Sequence, residues 1–267
     1  MSSIIAIEQT DAVHIITDSA IYGADGVVHR FKRKVVELPL SNCVFVLRGA
    51  DYPCAALTLM LFQYDSLDAI MDNLPKHMQQ MVAVFDQLSE NVSPIYRHFQ
   101  VTVAGWSDTL NSWASGIAST YETRDPDDVT GISHLNGYQP FIPYQGAPVC
   151  CVPAVESEVL GRDVVTQDDI NGLDPERDGL LLVQAQRLTP VIDGAFEVQY
   201  LVGGSAELVT LSAEGVSRKI LIEWPDECGQ LITPEGAPTR EEVKVWIAEQ
   251  QASARAQDHD EPELIAA

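Results

Sequence analysis

Short β-branched runs open the chain and set its first period. Ser3-Ile4-Ile5-Ala6-Ile7-Glu8 and Ala12-Val13-His14-Ile15-Ile16-Thr17 flank the turn-prone Gln9-Thr10-Asp11, which predicts a hairpin. Asp25-Gly26 marks a second turn, followed by Val27-Val28-His29 and Lys34-Val35-Val36-Glu37-Leu38. Cys43-Val44-Phe45-Val46-Leu47 reads as a buried strand ending at Arg48-Gly49-Ala50, so the first fifty residues are expected to be all β.

The period then lengthens. Tyr52-Pro53 opens a run that is apolar nearly all round (Ala55, Ala56, Leu57, Leu59, Met60, Leu61, Phe62), the pattern of a helix held between layers. Leu74-Pro75 predicts the start of a second helix, with Met78, Met81, Val82, Phe85 and Leu88 at helical spacing and Pro75 in its first turn. Strands return at Phe99 to Trp106 and Ser112 to Ala118, where Trp106 and Trp113 are expected to pack in or beside the sheet. Asp174-Pro175 predicts a third helix through Ala185. Glu207 to Leu211 and Val216 to Ile222 predict a last hairpin, and Thr239 with Glu242 forms a capping box for a final helix. This order predicts two sheets packed between helical layers. The expected organisation is one domain over residues 1–253, interrupted by an irregular excursion near 121–153 and followed by an acidic tail at 254–267.

Charge narrows the choice of partners. The chain has 267 residues, 39 acids against 16 Lys and Arg, and a formal net charge of −23, which disfavours nucleic acid and anionic membrane surfaces. Hydrophobic residues make up 46%, enough for a packed core, so disorder does not explain the acidity. Acids and bases balance within residues 1–50, so the whole excess lies beyond them. Arg30, Lys32, Arg33 and Lys34 form a cationic spot whose simplest reading is a charge-guarded edge strand. No run is long and apolar enough to predict a membrane span, and Met1 to Ala6 lacks the pattern of an export signal. Cys43, Cys54, Cys150, Cys151 and Cys228 read as buried, reduced thiols, which points to the cytoplasm. The six histidines lack metal-ligand spacing, and Asp174 to Gly179 copies the start of a calcium loop but has Ala185 where the closing Glu belongs. No cofactor or metal is expected.

Ser2-Ser3-Ile4-Ile5-Ala6-Ile7, Asp11-Ala12-Val13, Thr17-Asp18-Ser19 and the basic run closing on Lys34-Val35 resemble, without gaps, the start of a proteasome β-subunit or of its bacterial ATP-dependent protease relatives. That family consists of N-terminal-nucleophile (Ntn) hydrolases built as a four-layer αββα sandwich of the α+β class. The resemblance implies that Ser2 is the nucleophile, Lys34 the buried lysine and Asp18 the acid supporting it, with backbone near Gly49 as the oxyanion hole. The chemistry is coherent: an α-amine near pKa 7.7–8.0 can serve as base to its own serine, and a neighbouring ammonium lowers it further. Ser2 would need a free amine, and a small second residue suits removal of Met1. The substrate would be a peptide or amide. Tyr200-Leu201-Val202-Gly203-Gly204 stands where the family places Asp-x-x-Ser-Gly, without the acid or the serine.

The stretch from Gly215 to Glu227 is also similar to proteasome-like proteins of tailed phages and prophages. It implies a phage-encoded protein of the host cytoplasm or the virion. The other expectation is therefore a non-catalytic virion component on the same fold, in the tail, neck or capsid. Protein partners or self-assembly into an oligomer are expected in either case.

Overall fold

The predicted opening hairpin forms, with β1 (Ile4–Glu8) antiparallel to β2 (Ala12–Asp18) and Ile5 opposite Ile16. The computed structural model describes residues 3–88, 98–121, 140–145, 150–151, 167–192, 198–246 and 248. The next strands are β3 (Ala20–Tyr22), β4 (Val28–Phe31), β5 (Val36–Leu38) and β6 (Cys43–Gly49), so the described part of the first fifty residues is β as expected. Helices α1 (Cys54–Leu61) and α2 (Leu67–Leu88) precede β7 (Phe99–Ser107) and β8 (Ser112–Ser119). After β9 (Tyr144–Gln145) and β10 (Cys150–Cys151) come α3 (Gln167–Asn171) and α4 (Arg177–Leu188). The chain continues through β11 (Val191–Ile192), β12 (Val198–Gln199), β13 (Ser205–Ser212) and β14 (Gly215–Glu223), and residues 240–246 are helical.

The fold is mixed, with two antiparallel five-stranded sheets ordered β10-β1-β2-β13-β14 and β5-β6-β7-β8-β9. Strand alternation assigns the faces. Ile4 and Ala6 of β1 pack with Val13, Ile15, Val209 and Leu211 against Val44, Val46 and Ala104 of the other sheet. Ile5, Ile7, Ile16 and Leu208 point the other way, onto Ile170, Leu173, Leu182 and Val183 of the segment containing α3 and α4. The outer face of the second sheet (Phe45, Leu47, Phe99, Val101, Val103) is covered by α1 and α2 through Leu57, Leu61, Ile70 and Leu74.

The second helix starts a full two turns before the expected Leu74-Pro75. Ser66 Oγ accepts the Ala69 N–H (3.3 Å), and Pro75 lies inside the helix. An internal proline costs about 3 kcal/mol. Leu67, Ile70, Met71 and Leu74 are all buried, each worth about 1.5–3 kcal/mol, so burial outweighs the lost hydrogen bond. The excursion near 121–153 is not wholly irregular: β9 extends one sheet beside β8, and β10 extends the other beside β1. The tail at 254–267 lies outside the described residues.

Other readings meet their structural counterparts. Trp106 and Trp113 pack edge to face with centroids 5.7 Å apart. Asp174 Oδ1 accepts the N–H groups of Glu176 and Arg177, and Asp178 pairs with Arg177, so the calcium-like acids cap and brace the start of α4. Of the thiols, Cys43 is buried, Cys54 is half-buried and Cys228 is exposed, which corrects the expectation that all are buried; the side chains of Cys150 and Cys151 lie outside the described set. No described helix is long and apolar enough to cross a membrane.

Candidate functional site

The two sheets enclose a layer that changes character along its length. Val44 and Val46 of β6 are followed on the same face by Arg48, and Ala104 of β7 is preceded by Thr102 and Gln100. Val13 and Ile15 of β2 lead likewise to Thr17, and Leu211 and Val209 of β13 lead back to Glu207. One end of the layer is therefore apolar and the other is buried and polar, with Arg48 donating to Gln100 Oε1 at 2.7 Å.

Asp18 closes β2 at that polar end. Its Oδ1 accepts Lys34 Nζ at 2.7 Å and the Ser3 N–H at 3.1 Å; its Oδ2 accepts the N–H groups of Ala20 at 3.2 Å and Gly203 at 3.3 Å. A carboxylate offers about four acceptor positions, and all are used here. The side chains of Lys34 and Asp18 are 2% and 0% exposed. Burial pushes the Lys34 ammonium below its ordinary pKa, opposed by the charge and hydrogen bond of Asp18, with Lys32 lowering it and Asp51 raising it at longer range. Lys34 is thus a cation whose proton is less tightly held than that of a solvated lysine.

Of the residues expected in the site, Asp18 and Lys34 meet, while Ser2 lies outside the described residues. The adjoining Ser3 is buried and held twice, through its N–H on Asp18 and its Oγ on Gln186 Oε1 of α4. Gly49 ends β6 at φ +93°, and a Cβ there would collide with the His98 carbonyl oxygen, so glycine is required. Asp51 follows closely and takes Arg30 Nη2 at 2.8 Å together with Lys32 Nζ. This ties the turn after Gly49 to the segment leading to Lys34.

The same pairs revise the cationic spot. Arg30 and Lys32 pair with Asp51, Arg33 lies 3.4 Å from Glu207, and Lys34 pairs with Asp18. On its other side β4 is bonded at Val28, which donates to the Gln230 carbonyl and accepts from the Gly229 N–H, while His29, Arg30 and Phe31 are exposed. The bases bind specific acids around the site, and the exposed outer part of β4 remains a sheet edge.

Several contributors escaped sequence reasoning. Gln186 and Gly203 come from distant segments, and Tyr22 has a buried hydroxyl with no partner among the described residues. Burial, reinforced by the charge of Asp18, pushes that hydroxyl well above its ordinary pKa, so Tyr22 stays a neutral phenol. The one available signal was the Gly203-Gly204 pair at the position of the missing Asp-x-x-Ser-Gly motif. Among the described residues no group of three or more His, Cys, Asp or Glu side chains gathers at metal-binding distance.

No protein-family model matches the chain, and no curated protein matches it. Among solved structures it is similar to Anbu (ancestral beta-subunit) from Yersinia bercovieri, at 10% identity over 100% of each chain with a TM-score of 0.47. The family assignment made from the first fifty residues, and its narrowing to proteins of tailed phages and prophages, is corrected: no family model and no curated protein matches the chain to support it.

Proposed function

We propose that the chain hydrolyses peptide or amide bonds with an N-terminal serine nucleophile, on a four-layer αββα sandwich. The three apolar clusters are the contacts between the four layers in this reading. Ser2 Oγ attacks the carbonyl carbon and its proton passes to the Ser2 α-amine. The proton then goes to the leaving nitrogen as the C–N bond breaks, which leaves an ester on Ser2. Water cleaves the ester and releases the carboxylic acid. Lys34 lowers the proton affinity of the amine by like-charge repulsion, Asp18 holds Lys34 in place, and backbone N–H groups near Gly49 receive the oxyanion.

The observation that carries this reading is the shared acceptor. Lys34 Nζ and the Ser3 N–H converge on Asp18 Oδ1, so the peptide unit joined to Ser2 and the buried ammonium are held by one atom.

The reading requires a free α-amine on Ser2. Intact mass spectrometry of purified protein should show the loss of Met1, and an acylating inhibitor should add one equivalent at Ser2. Turnover of a peptide anilide should vanish in Ser2→Ala. Retention of Met1, or full turnover by Ser2→Ala, would overturn the assignment.

A further inference from the structure

The loop that donates to Asp18 is itself held by a second buried ion pair. Arg187, in the last turn of α4, makes a two-pronged pair with Asp226: Nη1 to Oδ2 and Nη2 to Oδ1, each 2.8 Å. Both side chains are 7% exposed. Arg187 Nη1 also donates to the Val202 carbonyl at 2.8 Å, and its guanidinium lies 4.7 Å from the Trp224 ring centroid. The fork suits this role, because a planar guanidinium fixes the orientation as well as the distance of its carboxylate.

Asp226 in turn grips the loop. Its Oδ2 accepts the Gly204 N–H at 2.8 Å, while the Trp224 N–H donates to the Gly204 carbonyl at 2.8 Å. One residue earlier, the Gly203 N–H reaches Asp18 Oδ2 and the Gly203 carbonyl accepts the N–H groups of Ser19 and Ala20. A Cβ on Gly203 would sit 2.7 Å from Asp226 Oδ2, so the glycine and the acid fit only as a pair.

We propose that Asp226, clamped by Arg187, is a positioning residue for the Asp18–Lys34 pair. Its role in turnover rests on the hydrolase reading; its role in geometry does not.

Asp226→Asn tests this directly, since it keeps an acceptor for Gly204 and discards the charge that holds Arg187. Two NMR readouts on the full chain are independent of catalysis: hydrogen exchange at the Gly203 amide and the titration midpoint of Lys34 Nζ. Asp18, Lys32 and Asp51 are the charged groups acting on that ammonium, and Asp18 is the largest influence raising it. Loosening the loop should speed Gly203 exchange at least tenfold and shift the Lys34 midpoint, with Arg187→Lys giving smaller changes in the same directions. A folded Asp226→Asn protein with both readouts unchanged overturns the proposal. If that variant does not fold, the paired Arg187→Gln with Asp226→Asn exchange, which leaves no unpaired buried charge, is judged by the same criteria. Both changes in a protein whose Ser2 is inert would sink the hydrolase reading and uphold the positioning role; turnover by wild type with neither change would do the reverse.

Discussion

Lys34 and Asp18 form an ion pair with Nζ 2.7 Å from Oδ1 and almost no solvent access to either side chain. Such a pair contributes little net stability over a packed apolar pair, but removing one member strands a buried charge. Lys34→Met should therefore destabilise the fold by about 3–5 kcal/mol, and Lys34→Met combined with Asp18→Asn should recover a substantial part of that loss. Urea denaturation of the two single variants and the double variant gives the coupling. Additive losses would show that the pair does not act as a unit.

Gly49 should tolerate no side chain. Its φ of +93° places it where only glycine is unstrained, and its Cβ direction is filled by the His98 backbone. Gly49→Ala should cost at least about 1–3 kcal/mol in chemical denaturation. It should also perturb the amide resonances of Ala50 and Asp51, because the Ala50 N–H bonds to the same His98 carbonyl at 3.0 Å.

Placing a serine in the glycine pair should destabilise the fold around the site. Gly203→Ser brings a Cβ within 2.7 Å of both Asp226 Oδ2 and Ile232 Cδ1. Ile232 can adjust its terminal carbon, but Asp226 is locked by Arg187 and Gly204. The expected cost is about 1–3 kcal/mol, read from the denaturation midpoint at constant m-value. Stability equal to wild type would mean that the clamp is looser than its distances indicate.

His14 should make stability fall on acidification. Burial lowers its pKa, against the raising influence of Asp11 and Asp174, while its ring bonds to Thr210 Oγ1 at 2.9 Å and to Gln9 Oε1 at 3.2 Å. With the folded value below the unfolded value near 6.5, the unfolded chain binds more protons in this window. The contribution is present in full above that value and is lost as pH falls through the folded value. His14→Asn should flatten the slope of melting temperature against pH below about 6.5 relative to wild type.

The strand hairpins were legible because period-two runs such as Ile4 to Glu8 and Glu207 to Leu211 leave few other ways to bury alternate residues. The start of α2 was not. Pro75 is a strong local signal for a first turn, and it was overridden by contacts of Leu67, Ile70 and Leu74 with a sheet formed elsewhere in the chain.

The site divides along the same line. Asp18, Lys34 and Gly49 lie within one continuous stretch, so the resemblance of that stretch to a known pattern was enough to mark them; spacing alone was not. Ser3 to Gln186, Gly203 to Asp18 and Arg187 to Asp226 join residues 183, 185 and 39 positions apart. Spacing of that length carries no geometric information, since a loop of any conformation can intervene. Local pattern determined the strands, and the resemblance of the first fifty residues marked the candidate acid–lysine pair. Tertiary packing decided which backbone groups saturate Asp18 and which distant acid holds the loop that does so, because burying a charge demands partners wherever the fold can supply them.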